Sequence, residues 1–409
     1  MRIQFCCAVL LAGIAAAQSD PDTALKMRGD RFPPLKYADM TPRQKAMADR
    51  AIAGRGAIGD FNIVLRSPEL ADALRFGTGA NSALSAKQRE LAILISARFW
   101  TTQFEWAVHH RAAVQAGLSE ETVAAIAEGR RPAALKPDEE PLYNFLEELF
   151  ATKQVSDATF AAAKSNLGEA GIADLFGVVG FYQTVSFMMN ADRYPMNPGQ
   201  MPELKPLPAR STNPVVANGP ERMPPISGAQ MTPAQKALMD KVVSGQIQGG
   251  TRGPLSLLLR SPGTAEGIIR YGEYIRFHST LPAKLSELAC LTVTRYWTSQ
   301  FPFSVHHKSG AQAGLSEATI AAIAEGKRPA SMAKDEAVVY DFVTGLLKTT
   351  QISDANFSAA KELLGERNLV ELLGVVGYYQ IVPMVLNTDR YPVPEGQQAE
   401  LKPLANPLP

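Results

Sequence analysis

Residues 86–118, AKQRELAILISARFWTTQFEWAVHHRAAVQAGL, return at 283–315 as AKLSELACLTVTRYWTSQFPFSVHHKSGAQAGL, an offset of 197. The same offset carries GVVGFYQ at 177–183 onto GVVGYYQ at 374–380, DRYP at 192–195 onto 389–392, and ELKPL at 203–207 onto 400–404. Further upstream it narrows to 191, where MTPRQKAMADR at 40–50 meets MTPAQKALMDK at 231–241. The second copy therefore holds six extra residues between its first and third helices. Solenoid units run to roughly 20–45 residues, so a period this long reads as a duplicated domain. The expected organisation is a first domain at 18–195, a proline-rich linker at 196–230, a second domain at 231–391 and a proline-rich tail at 392–409. Linker and tail are expected to be extended and largely without regular structure.

Within each unit, long apolar runs containing Ala, Leu and Glu lie between capping signals, and no Val/Ile/Thr alternation is sustained. Gly117-Leu118-Ser119 and Gly314-Leu315-Ser316 each place a glycine stop before a serine N-cap, which marks helix, turn and helix. The pattern predicts helices over 41–54, 67–78, 85–101, 104–116, 120–128, 138–153, 157–167 and 171–190, with the second copy parallel. The fold class is all-α: two tandem helical bundles forming a pseudo-dimer.

The first 17 residues read as an export signal. Arg2 supplies the charge, Phe5 to Ala16 a short apolar stretch, and Ala15-Ala16-Ala17 a small-residue cleavage site. That stretch is shorter than the roughly 20 residues a membrane span needs. The expected location is periplasmic or secreted, with no stable membrane insertion after cleavage. Cleavage would remove Cys6 and Cys7 and leave Cys290 alone. An intramolecular disulfide, a Cys-x-x-Cys redox pair and a thiolate metal cage are then all excluded. Cys290 itself sits in an apolar run and reads as a buried structural thiol. With 41 Lys+Arg against 40 Asp+Glu and no basic block, nucleic acid is excluded as a partner.

Chemistry is expected where polar groups interrupt apolar helices. Glu90 precedes five apolar residues, and Glu287 takes its place in the second copy. A carboxylate there must find a cation or donor, or have its pKa raised. Glu105 and His109 are four residues apart and share one helix face, whereas His110 points away. His306 and His307 repeat the histidine pair, but Pro302 stands where the first copy has Glu105. A metal site from Glu105, His109 and His110 is disfavoured, because adjacent histidines on a helix diverge and no His-Glu-x-x-His is present. The small residues of GVVG favour close helix packing; the aromatics behind them offer an alternative role, lining a ligand cavity.

Glu90, then Phe104-Glu105-Trp106, His109 and AGLS together resemble the carboxymuconolactone decarboxylase family, whose members include the AhpD hydroperoxidase branch. The resemblance implies an all-helical bundle whose subunits pair and often trimerise, so a fused pair would form a homo-oligomer as a trimer. The peroxidase branch needs a Cys-x-x-Cys, and its two sulfur positions are here Thr102 and Glu105, or Ser299 and Pro302; a hydroxyl does not cycle through sulfenate and disulfide. The decarboxylase branch has Glu at the second position and keeps the His, as in the first copy. It implies cofactor-independent acid/base chemistry on a small-molecule substrate, with neither metal nor organic cofactor. The catalytic set it implies is Glu90, Glu105 and His109, with Glu287 and His306 in the second copy as scaffold or as part of a composite site. Arg98 and Arg295 are the candidates to anchor a substrate carboxylate, with Trp106 beside the site. The remaining alternative is a helical module that binds a small ligand without turnover.

Overall fold

The computed structural model describes residues 31–55, 62–74, 76, 82–196, 202–205, 207, 220–393, 396 and 399–404. The expected export signal, most of the linker and the end of the tail lie outside them. Among the described residues the regular structure is entirely helical.

The first half consists of α1 (Pro42–Arg55), α2 (Pro68–Ala73), α3 (Ala86–Phe99), α4 (Gln103–Gln115), α5 (Glu120–Ala127), α6 (Glu140–Thr152) and α7 (Asp157–Asp192). The second half consists of α8 (Pro233–Val243), α9 (Pro254–Leu258), α10 (Pro262–Glu273), α11 (Ala283–Tyr296), α12 (Gln300–Gln312), α13 (Glu317–Ala324), α14 (Lys334–Thr349) and α15 (Asp354–Asp389). Local chemistry starts these helices where the sequence places caps. Ser85 accepts from the Gln88 N–H while Gln88 reaches back to the Ser85 N–H, a reciprocal capping box. The Ser119 and Ser316 hydroxyls accept from Thr122 and Thr319, and Gly117 and Gly314 before them sit at φ 103° and 99°.

One expectation needs correction. The helix anticipated over 67–78 is α2 and stops at Ala73, because Gly77 and Gly79 follow closely and glycine opposes helix continuation. The corresponding helix of the second half is longer and runs on through a π-helical turn at Tyr274–His278, where part of the extra length of that copy lies. The two helices expected at 157–167 and 171–190 are present as the two segments of α7, separated at Gly168 (φ 69°, ψ 173°), the second running on to Asp192. Gly365 breaks α15 in the same way.

The two long helices α7 and α15 form the centre and pack on each other. A methyl group on Gly180 would collide with Ile381, and one on Gly377 with Thr184, so the GVVG segments permit the approach expected of small residues. Both helices have the length and composition of a membrane span, yet their apolar windows are 83% and 100% buried within the protein.

Ion pairs between the halves are reciprocal. Arg66 Nε binds Glu366 at 2.6 Å, and Arg260 Nε binds Glu169 at 3.2 Å. Asp157, the first residue of α7, receives Arg222 and Arg390 from the second half, each at 2.8 Å. Asp354, the first residue of α15, receives Arg31 at 2.8 Å and Arg193 at 2.6 Å from the first. A carboxylate at a helix N-terminus also meets the positive end of the helix dipole, and the arginines hold both of these below the usual carboxylate range.

Candidate functional site

Helices α3 and α4 are joined by a corner at Thr101, a threonine held at φ 51°, and α11 and α12 by the same corner at Thr298, φ 49°. A β-branched residue rarely adopts this conformation, and here an arginine braces each one. Arg98 donates to Thr101 Oγ1 and, at 2.7 Å, to the carbonyl of Lys205. Arg295 does the same with Thr298 and, at 2.7 Å, the carbonyl of Lys402. Burial lowers the Arg295 pKa to about 10. The two arginines anticipated as carboxylate anchors are thus directed to the corners and to the ELKPL segments.

The corner folds α4 back along α3 and brings His109 to Glu90. His109 Nδ1 lies 2.8 Å from Glu90 Oε2, and Nε2 lies 3.4 Å from Glu105 Oε2. Residues 91–98 of α3 are buried, but the cluster stands at the edge of that core, with 14% of the His109 side chain and 18% of the Glu90 side chain exposed. Of the two outcomes open to Glu90 from sequence, the structure provides the partner. Burial works against a charge on His109, but hydrogen bonds and charges from Glu105 and Glu90 outweigh it and raise its pKa to about 9. At neutral pH the site is an imidazolium between two carboxylates. The Tyr182 ring packs edge-on against the imidazole, centroids 4.8 Å apart.

The second half repeats half of this arrangement. Glu287 Oε2 is 2.6 Å from His306 Nδ1, and Tyr379 stacks edge-on at 4.8 Å. Pro302 offers no carboxylate to the other ring nitrogen, so the two centres differ in charge and in hydrogen-bonding capacity. They also belong to separate helix pairs: each histidine pairs with the glutamate of its own half.

Trp106 is fully buried and donates its indole N–H to Glu203 at 2.7 Å. Glu203 also takes His110 Nδ1 at 2.8 Å, while His110 Nε2 meets Glu120 at 3.1 Å. His307 is held likewise by Glu400 and Glu317. The described residues of the ELKPL segments have no regular structure, as expected, yet are tied down as straps: Gln103 exchanges two hydrogen bonds with the Leu204 backbone, and Gln300 two with Leu401. Sequence reasoning missed Glu203 and Glu400 as members of the site's surroundings, whereas Tyr182 is one of the aromatics after GVVG to which it offered a cavity-lining role. The repetition of ELKPL was the available signal.

Residues 67–148 match the model of the carboxymuconolactone decarboxylase family. This stretch is similar to the carboxymuconolactone decarboxylase family. It spans α2 to most of α6, and so contains Glu90, Glu105 and His109 on one continuous segment. No curated protein and no solved structure matches the chain.

Proposed function

We propose that the first half is a cofactor-independent acid/base catalyst that decarboxylates, or moves a proton on, a small lactone or carboxylic acid. The observation that carries this reading is the Glu90–His109–Glu105 triad. In decarboxylation the bond to the leaving carboxylate breaks as CO₂, and its electron pair spreads onto the substrate carbonyl as an enolate. His109, cationic at neutral pH, stabilises that oxyanion. Glu90 fixes the ring through Nδ1, which leaves Nε2 as the working nitrogen. Its contact with Glu105, at 3.4 Å, is long enough for a substrate oxygen to compete for the proton. Glu105 then passes a proton from His109 to the carbon, and solvent restores it.

The second half, without a counterpart of Glu105, serves in this proposal as the paired scaffold. The reciprocal arginine pairs support a pseudo-dimer made within one chain, which would assemble further as a trimer of fused pairs. Residues 1–17 support export, and a periplasmic or secreted location belongs to the same proposal. Thiol-dependent peroxide reduction is disfavoured by Thr102 and Glu105 at the sulfur positions.

The test is CO₂ release from a panel of unsaturated lactone acids. His109→Ala and Glu105→Gln are each expected to lower kcat by about 10²–10⁴. Unchanged turnover in both variants would overturn the reading.

A further inference from the structure

The centre of the second half has acquired a side chain that the first lacks. Cys290 lies on α11 one helical turn beyond Glu287, on the same face, where the first copy has Ile93. One ligand atom each from Glu287, Cys290 and His306 lies within 4.8 Å of the other two. Cys290 and His306 are buried and Glu287 is half-buried. We propose that Glu287, Cys290 and His306 bind a divalent transition metal of zinc type, making the second half a metal site and not a copy of the acid/base centre. The inference stands apart from the reading of the first half, since none of its residues is shared.

The donor set decides the class of ion. Thiolate, imidazole and carboxylate together select zinc and its neighbours over magnesium or calcium, which prefer oxygen throughout. Ligand bonds of about 2.0–2.3 Å put tetrahedral donors roughly 3.5 Å apart. Glu287 Oε2 and His306 Nδ1, 2.6 Å apart, must therefore separate by about 1 Å to admit an ion between them, and Glu287, with 20% of its side chain exposed, can supply that movement by side-chain rotation.

Two features of the first copy that would obstruct an ion have been removed. Ile93 gives way to the thiol, and Glu105, which engages the second nitrogen of His109, gives way to Pro302. A dication held by Glu287, Cys290 and His306 would take the thiol as thiolate, because a coordinated thiol is deprotonated outright.

The experiment uses the full chain with Cys6→Ser and Cys7→Ser, so that Cys290 is the sole thiol, freed of metal with a chelator and titrated with Co²⁺. The expected result is one equivalent bound per chain with a sulfur-to-cobalt charge-transfer band, and displacement by Zn²⁺. Cys290→Ser is expected to abolish the band and Glu287→Gln to weaken binding at least tenfold, while His109→Ala leaves both unchanged. Should Cys290→Ser fail to fold, His306→Gln, checked by its helical circular dichroism, carries the same test. Absence of the band in the parent chain, or its survival in Cys290→Ser, overturns the proposal.

Discussion

Glu90 Oε2 and His109 Nδ1 stand 2.8 Å apart although 19 residues separate them in sequence, and the same pairing recurs at 2.6 Å between Glu287 and His306. Both pairs depend on a threonine corner that turns one helix back along another. What distinguishes the centres is the third group: a carboxylate at 105, a proline at 302.

The charge on His109 makes stability depend on pH. Its pKa is about 9 folded against about 6.5 unfolded, so the protonated group's contribution is complete below about 6.5 and is lost as pH rises through 9. It amounts to something on the order of 3 kcal/mol. The difference in Tm between the parent protein and His109→Gln should shrink steadily across that window. A difference independent of pH would show that the triad is not an ion cluster.

Pro302→Glu should rebuild the missing carboxylate. Position 302 lies in the first turn of α12, where an acidic side chain also favours the helix dipole. The titration midpoint of His306, followed by its imidazole resonances, is expected to move upward. No upward movement would mean that the backbone of α12 does not aim position 302 as α4 aims Glu105.

Asp389 carries a linkage of the same sign in a lower pH window. Burial raises its carboxyl to about 7, the neighbouring Glu221 adds to the rise, and a hydrogen bond at 2.6 Å from the Met223 N–H acts the other way. The folded protein therefore holds this proton more tightly than the unfolded chain, so stability falls as pH rises from about 4 through 7. Asp389→Asn keeps the acceptor and removes the charge. It should raise Tm by a few degrees at pH 8 and have little effect at pH 5, as read by thermal unfolding at the two values.

Gly377→Ala should destabilise the contact between α7 and α15. Its methyl group would meet Thr184, and the neighbourhood is fully buried. Overpacking of this kind costs about 1–3 kcal/mol, measurable by denaturant unfolding. Gly228→Ala, where nothing lies within 4 Å, is the matched control.

Much of the architecture was legible because it rests on local rules. Ser119 and Ser316 cap the helices that begin after them, and GVVG marks the place where two helices touch. The pairing of Glu90 and Glu105 with His109 could be anticipated because the latter two share a helix face and Glu90 was an isolated carboxylate beside an apolar run. The bonds of Arg98 were not legible for a physical reason: periodicity gives a guanidinium's position on a helix, but not that a left-handed threonine and a carbonyl 107 residues away will engage it. Glu203 was hidden because a strap has no periodicity. Only tertiary contacts show that it is tied down.

The arginine pairs that cross between the halves have one further meaning. Two identical subunits meeting in this way would carry every substitution twice, so a proline at 302 or a cysteine at 290 would alter both centres together. Joining the copies in one chain lets a replacement occur once. The partner that still needs the old residue keeps it, and the shared helical frame bears the difference.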